Sequence, residues 1–183
     1  MNFFQALYLT HFSTPVDERA IYRRIRKNVP QQIVECGIQR GERMGRMLRL
    51  LKYVSPKTDS FTYVCTDPFE GRTEIDGPGL SLRKAHKLLS QLELRHRCIP
   101  APSEMGIIQL SRSVKDVDFL VIAMPELDWL GRRGALLAAT LADQAVIFLK
   151  APGGVFQEWT PYQFQQAINQ AAEQDRVSKK AAS

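Results

Sequence analysis

A carboxylate and two glycines mark the place where this sequence could bind a ligand. Glu35 ends a short run of β-branched residues, and Gly37 and Gly41 follow it before a helical pattern begins. A parallel strand that turns sharply into a helix leaves free backbone N–H groups at its carboxyl end, where α/β sheets bind nucleotides and related cofactors. The glycines let the main chain approach a ligand closely, and the Glu35 carboxylate can accept hydrogen bonds from ligand hydroxyl or amino groups.

Segments typical of strands and helices alternate around this motif. Apolar runs predict strands at 32–36, 61–66, 94–99, 118–124 and 145–149. Helical periodicity between and after them predicts helices at 41–53, 81–92, 104–113, 129–142 and from Thr160 onward. This alternation predicts a doubly wound α/β fold, with a mainly parallel sheet of about five strands and helices on both faces. We expect an N-terminal arm over 1–14, a single domain over 15–176 and a polar tail over 177–183.

Composition limits the class of protein. The chain has 183 residues, 44% of them hydrophobic and 24% charged, as in an ordinary globular domain. No apolar run approaches the roughly 20 residues that span a bilayer, so we expect no membrane partner. Cys36, Cys65 and Cys98 match neither a zinc site nor a disulfide framework, and we expect no metal. Free thiols indicate a reducing compartment, which predicts a cytoplasmic protein.

The net charge of +6 predicts a basic surface, which can attract nucleic acid, anionic lipid or an anionic cofactor. The densest cluster of basic residues is Arg23, Arg24, Arg26 and Lys27. A solvated helix face accounts for this cluster, and contact with nucleic acid is the less favoured alternative.

Together these features resemble the class I S-adenosylmethionine-dependent methyltransferase fold, which is Rossmann-like. The family's first motif is an acidic residue followed by glycines at alternate positions. Glu35, Gly37 and Gly41 match the acid and the outer glycines, while Gln39 stands in place of the middle one. The resemblance implies that S-adenosylmethionine, or its product S-adenosylhomocysteine, binds at Glu35, Gly37, Gln39 and Gly41.

The resemblance continues after the later strands. The family places an acidic residue at the end of the second strand to hold the ribose hydroxyls, and Asp67, followed by Pro68, occupies that place. A carboxylate can accept two hydrogen bonds from such a vicinal diol. The resemblance further places Pro100 near the adenine and Met124 at the methyl-transfer side. The stretch LLAATLADQAVIFLKAPGG looks like the helix and fifth strand that follow the family's catalytic edge.

Two acids after the fourth strand are candidates for catalysis. Glu126 or Asp128 could act as general base for a hydroxyl acceptor, although Asp128 also suits a helix cap. The preceding residues read Ala123-Met124-Pro125, whereas enzymes that methylate bases and glutamines carry an Asn/Asp-Pro-Pro-aromatic motif there. This difference argues against those acceptors, and the acceptor is unknown.

The sequence also departs from the family at its end. The antiparallel pair of strands that usually completes the sheet has no room after the last helix. The fifth strand would then be an edge, which the N-terminal arm or the second subunit of a homodimer would cover.

Two functions therefore stay open. The leading prediction is a methyltransferase-like transferase. The main alternative is a catalytically inactive methyltransferase fold that serves as a binding or scaffolding protein, with its basic surface available to nucleic acid. Nicotinamide dinucleotide binding needs Gly-x-Gly-x-x-Gly, which the spacing of Gly37, Gln39 and Gly41 does not supply.

Overall fold

The predicted alternation of strands and helices is present in the computed structural model, which describes residues 1–56, 61–74, 76–124, 129–151 and 153–181. The helices are α1 (Phe3–His11), α2 (Arg19–Lys27), α3 (Glu42–Val54), α4 (Leu82–Gln91), α5 (Ser103–Ser113), α6 (Leu130–Ala138) and α7 (Pro161–Ala181). The strands are β1 (Gln32–Cys36), β2 (Thr62–Asp67), β3 (Arg95–Pro100), β4 (Val117–Ile122), β5 (Leu141–Lys150) and β6 (Phe156–Trp159). Short 3₁₀ turns cover Val16–Glu18 and Phe69–Gly71.

The strands form one sheet in the order β3-β2-β1-β4-β5-β6. Strands β1 to β5 are parallel, whereas β6 is antiparallel to β5. The chain runs outward from β1 to β3 and then returns to place β4 on the other side of β1. The loops after β1 and β4 consequently leave in opposite directions, and this topological switch point is where open α/β sheets bind ligands.

Alternate side chains of the strands pack into two apolar cores, one on each face of the sheet. Ile33 of β1 packs beneath α1 to α4, and its neighbour Val34 packs beneath α5 to α7. The same alternation holds in β4, where Phe119 faces the first core and Leu120 the second. Because successive strand side chains point to opposite faces, Glu35 must point toward the core beneath α1 to α4. Burial of both faces explains why these strands read as continuous apolar runs.

Two expectations at the edge of the sheet need correction, and the structure describes both ends of the chain more closely. Strand β5 is not an edge, because β6 pairs with it from Ile147↔Trp159 to Lys150↔Phe156, so a homodimer cannot form through an uncovered β5 edge. One strand of the antiparallel pair that we expected to be missing is thus present. The N-terminal arm is a helix, α1, whose Ala6 and Leu9 are buried in the core. The expected tail continues α7 as far as Ala181.

Candidate functional site

The turn between β1 and α3 carries three residues with left-handed backbone at alternate positions. The φ angles are +83° at Gly37, +54° at Gln39 and +76° at Gly41. Left-handed backbone costs a residue with a side chain about 1–2 kcal/mol relative to the usual conformation, so glycine suits all three positions. Gln39 adopts the conformation that the family's middle glycine would have, and its backbone N–H donates to Asp67 Oδ2 at 3.1 Å.

Gly37 brings the turn against the end of β4. A Cβ atom at this position would lie 3.0 Å from the carbonyl oxygen of Ala123. The Gly37 N–H donates to the Thr66 carbonyl at 2.8 Å, and the Ala123 N–H donates to the Cys36 carbonyl at 2.8 Å. The carboxyl ends of β1, β2 and β4 are therefore fastened together at this turn.

Glu35 is fully buried beneath this turn and does not line the cleft above it. Its Oε1 accepts from Arg43 Nε at 2.8 Å and lies 2.7 Å from the second guanidinium nitrogen, while its Oε2 accepts from the Tyr63 hydroxyl at 2.5 Å. Arg43 also donates to the Gly37 carbonyl at 2.8 Å. Burial raises the pKa of the Glu35 carboxyl, whereas the Arg43 charge and the Tyr63 hydrogen bond act in the opposite direction. Glu35 and Arg43 thus anchor the base of the turn.

Asp67 stands at the end of β2 and borders the cleft directly. Its carboxylate accepts from three protein donors: the backbone N–H groups of Gln39 and Phe69, and the Arg72 guanidinium at 2.5 Å. Arg72 also donates to the carbonyl of Asp76 at 2.9 Å. It packs flat on Gly79, where a Cβ atom would lie 1.8 Å from Arg72 Nε. Arg72 therefore ties the loop after β2 across the opening of the cleft.

The cleft beside Asp67, hereafter the Asp67 cleft, is small. Its free space is about 20 Å³, room for about one water molecule. It is lined by Gly37, Gln39, Thr66, Asp67, Pro68, Arg72, Asp76, Ala101, Ala123 and Met124. Two of its buried polar atoms, Thr66 Oγ1 and Arg72 Nε, have no hydrogen-bond partner among the described residues. Such orphaned atoms are rare, and they indicate a place for a further polar group.

A second and larger cavity of about 340 Å³ adjoins the Asp67 cleft. Gln39 and Asp76 line both spaces. The cavity is further lined by Pro15, Glu18, Ile38, Arg40, Glu42, Arg43, Pro78 and Lys150. Its lining includes three basic side chains, Arg40, Arg43 and Lys150, and three acidic ones, Glu18, Glu42 and Asp76. The two spaces together follow the carboxyl ends of β2, β1 and β5.

The structure brings five predicted residues together and separates others. Gly37, Gln39, Asp67, Pro68 and Met124 line the Asp67 cleft. Gly41 lies behind the turn as the N-cap of α3, where a Cβ atom would clash with Leu80 Cδ2 at 2.8 Å. Pro100 is exposed beside Asp67 in the register of β3, and its successor Ala101 lines the cleft instead. Glu126 and Asp128 lie outside the described residues.

Sequence reasoning missed the two arginines that hold the acids of this site. Arg43 has a sequence signal: it lies in the first turn of α3 beside the inward-facing Met44, at a position too apolar for an unpaired charge. Arg72 has none, because it lies in an irregular loop among turn residues.

In the described part of the chain, no three His, Cys, Asp or Glu side chains come close enough to hold a metal ion. None of the described helices is both long and apolar enough to cross a bilayer.

Comparison with known proteins supports the fold. No protein-family model matches this chain, and no curated protein does. An O-methyltransferase from Bacillus cereus, solved with S-adenosylhomocysteine, matches 80% of this chain and 64% of its own with a TM-score of 0.54 and 13% identity. The calicheamicin methyltransferase CalS11 matches 80% of this chain and 75% of its own, also with a TM-score of 0.54 and 13% identity.

These likenesses extend over only part of several of the solved proteins. The chain spans 46% to 64% of the length of the first methyltransferase structures that it matches. Sequence identities this low establish architecture and nothing about chemistry. This protein has the class I methyltransferase-like, Rossmann-like α/β fold, as the sequence predicted.

Proposed function

We propose that this protein binds S-adenosylmethionine, or its product S-adenosylhomocysteine, across the Asp67 cleft and the adjoining cavity, and that it is a methyltransferase of unknown acceptor. One observation carries the proposal. A carboxylate, Asp67, ends β2 beside the left-handed turn from Gly37 to Gly41, at the switch point of the sheet. This arrangement suits a nucleoside whose ribose hydroxyls donate to the carboxylate.

The polar groups around the cleft fit such a nucleoside once Arg72 has moved. The present free space of about 20 Å³ is far too small for an adenosine, and Arg72 fills the place next to the carboxylate. Cofactor binding therefore requires the Arg72 guanidinium to leave Asp67 and the loop from Arg72 to Gly79 to move outward. The unpartnered hydroxyl of Thr66 supports this proposal, because a bound ligand would supply its missing partner.

The 340 Å³ cavity would receive the amino-acid end of the cofactor. Gln39 lines both spaces and would lie beside the middle of the bound molecule. Arg40 and Lys150 would attract its carboxylate or an anionic acceptor. The B. cereus O-methyltransferase, which has the same fold, was solved with S-adenosylhomocysteine, and this supports the choice of cofactor.

The chain's own residues would bind and align the reactants. When bound, S-adenosylmethionine would supply an electrophilic methyl group on a sulfonium sulfur, which would keep the electron pair of the carbon–sulfur bond. Asp67 would hold the ribose, and Gly37 would let the main chain lie against the ligand. Met124 would line the transfer side, so that a nucleophile is aligned with the methyl carbon. Glu126 or Asp128 would take the proton of a hydroxyl acceptor.

The second candidate is a methyltransferase fold kept as a binding or scaffolding domain. The observation that favours it is that the Asp67 carboxylate already accepts from three protein donors, on Arg72, Gln39 and Phe69. A site that has lost its ligand would have its cleft filled by the protein's own side chains.

Titration calorimetry with S-adenosylhomocysteine separates the two candidates. We expect one site per chain, and we expect Asp67→Asn to weaken binding at least about tenfold because it removes a charged acceptor. The matched control is Asp116→Asn, at an exposed loop position before β4, which should leave the affinity unchanged. Circular dichroism melts of all three proteins report whether they are folded. Absence of binding by both S-adenosylmethionine and its product to the folded wild type would support the scaffold and exclude the methyltransferase.

A further inference from the structure

The first helix turns an apolar strip toward solvent. The side chains of the strip recur every three or four residues, and they are Met1, Phe4, Tyr8 and Phe12, exposed by 44%, 76%, 57% and 62%. Tyr8 and Phe12 stack on each other with ring centroids 6.5 Å apart. The opposite side of α1 is buried against α2 and α3, so the helix is already held by the domain. Exposed apolar strips of this kind mark interaction sites.

A basic groove runs beside this strip. It has a volume of about 280 Å³ and is lined by Thr10 and His11 of α1 and by Arg23, Arg26 and Lys27 of α2. The three basic side chains that line the groove are exposed, and none of them forms a salt bridge or side-chain hydrogen bond with another residue that the structure describes. The helix dipole accounts for positive charge in the last turn of α2, where Arg26 and Lys27 lie, but not for Arg23 one turn earlier.

The strip and the groove form one continuous surface. His11 lines the groove, and its ring centroid lies 6.3 Å from that of Phe12. The chain has no Asp, Glu, Lys or Arg before Asp17, so no acidic side chain of α1 interrupts this surface. An apolar strip next to unpaired cations needs a partner that offers apolar volume and negative charge side by side.

An anionic bilayer offers both. Its acyl region takes the side chains of the strip while its phosphates bind the cations, which is how interfacial amphipathic helices attach. Single-stranded nucleic acid suits the strip less, because Met1 cannot stack on a base and the rings of Tyr8 and Phe12 are stacked on each other. A second copy of the chain would place one basic groove near another of the same sign, which disfavours self-association.

We propose that α1 and the neighbouring face of α2 dock this protein on the surface of an anionic lipid bilayer. Helix α1 would lie in the plane of the interface with Phe4, Tyr8 and Phe12 inserted. Arg23, Arg26 and Lys27 would contact lipid phosphates. The attachment is peripheral and independent of cofactor binding. It replaces the expectation of no membrane partner, because the lack of a spanning apolar run does not exclude binding at the bilayer surface.

Vesicle flotation with the full chain tests this proposal. We expect binding to vesicles of phosphatidylcholine that contain about 30 mol% phosphatidylglycerol, which is enough to give the surface a negative potential. We expect little binding to vesicles of phosphatidylcholine alone. Added salt should weaken the binding because it screens the surface charge. Removing the three cations together, R23Q/R26Q/K27Q, should weaken partitioning about a hundredfold, since each basic residue near an anionic surface contributes about fivefold. Phe4→Ser should weaken it about tenfold, since it removes most of one inserted side chain.

Matched controls keep the same chemistry elsewhere on the molecule. R83Q/K84Q/K87Q removes three exposed cations from α4, and Tyr162→Ser removes a side chain of α7 that is 70% exposed. Both should bind vesicles as the wild type does. Equal losses in the control and surface variants would overturn the proposal, as would equal binding to neutral vesicles. Preferential binding to a single-stranded RNA 20-mer (about the length of the longer single-strand sites), or a dimer in sedimentation that Phe4→Ser abolishes, would assign the surface to another partner.

Discussion

The Arg72 guanidinium lies 2.5 Å from Asp67 Oδ2 and so occupies the carboxylate that a bound ribose would require. The contact is nearly enclosed, since the Arg72 side chain is 11% exposed and that of Asp67 is not exposed at all. Any ligand that needs Asp67 must compete with this ion pair. The strength of the pair therefore sets how readily the cleft opens.

Substituting Arg72 should make cofactor binding tighter. Arg72→Gln removes a charge-assisted hydrogen bond worth about 1.5–3 kcal/mol, and the ligand no longer has to displace it. We expect S-adenosylhomocysteine to bind about tenfold more tightly in titration calorimetry, while the melting temperature of the free protein falls. Arg83→Gln, an exposed arginine of α4, is the matched control and should change neither quantity. An unchanged or weaker affinity in Arg72→Gln would show that this guanidinium does not compete with the ligand.

Breaking the buried pair between Glu35 and Arg43 should cost far more than breaking a surface pair. Glu35→Gln leaves the Arg43 charge buried and without its closest partner, so we expect the free energy of unfolding to fall by about 3 kcal/mol or more in urea titrations. The exposed pair of Lys52 and Glu93, 3.0 Å apart, is the control, and Glu93→Gln should cost less than about 1 kcal/mol.

A double substitution checks that the effect belongs to the pair. Glu35→Gln combined with Arg43→Met should be more stable than the sum of the single losses indicates, because no unpaired charge stays buried. Strictly additive losses would contradict the assignment of the two side chains as one unit.

The turn after β1 should reject a side chain at Gly37. Gly37→Ala combines left-handed backbone with a Cβ atom 3.0 Å from the Ala123 carbonyl, and we expect a loss of about 2–3 kcal/mol in urea titrations. Gly77 has similar backbone, with φ of +65°, but open space around the added Cβ atom. Gly77→Ala should therefore cost only about 1 kcal/mol from backbone strain. Equal losses at both positions would mean that the contact with β4 is unimportant.

The cysteines should differ sharply in reactivity. Cys98 is half-buried, and its hydrogen bond with the Cys65 thiol lowers its pKa below the usual range. The reactive thiolate of Cys98 therefore appears at a lower pH than that of an ordinary cysteine. Burial raises the pKa of the Cys36 thiol. The pKa of the Cys65 thiol is raised mainly by its hydrogen bond with Cys98 and also by burial. Both thiols therefore stay protonated and are shielded from reagents.

Alkylation with iodoacetamide, followed by mass spectrometry, measures this difference. We expect Cys98 to be labelled first, with a rate that rises below pH 8.5, the approximate midpoint for a free cysteine. Cys36 and Cys65 should be labelled only in denaturant. Labelling of Cys65 before Cys98 in the folded protein would contradict the assignment of the thiolate.

The order of the elements was present in the sequence because helices and buried strands leave local patterns. The predicted strands and helices fall close to the observed ones, and similar solved structures confirm the fold class. Strand β6 was missed because its four residues, Phe-Gln-Glu-Trp, form no apolar run, although it pairs with the preceding strand β5 across a short connection. Helix α6 was predicted too long, since β5 begins at Leu141.

Local pattern also located the cleft but did not decide what each acid does there. Asp67, Gln39 and Met124 could be placed at the cleft because each ends or closely follows a strand, and parallel strands end at the same edge of the sheet. The sequence predicted Glu35 as a second wall of the cleft. The alternation of side chains along β1 instead directs the Glu35 carboxylate into the core beneath α1 to α4, where it accepts a hydrogen bond from Arg43. Arg72 meets Asp67 only because an irregular loop folds back over β2. The periodicity of apolar residues is a local property, so it can be recognised in the sequence. The partner of a charged side chain depends instead on which distant segments the sheet and its loops bring together.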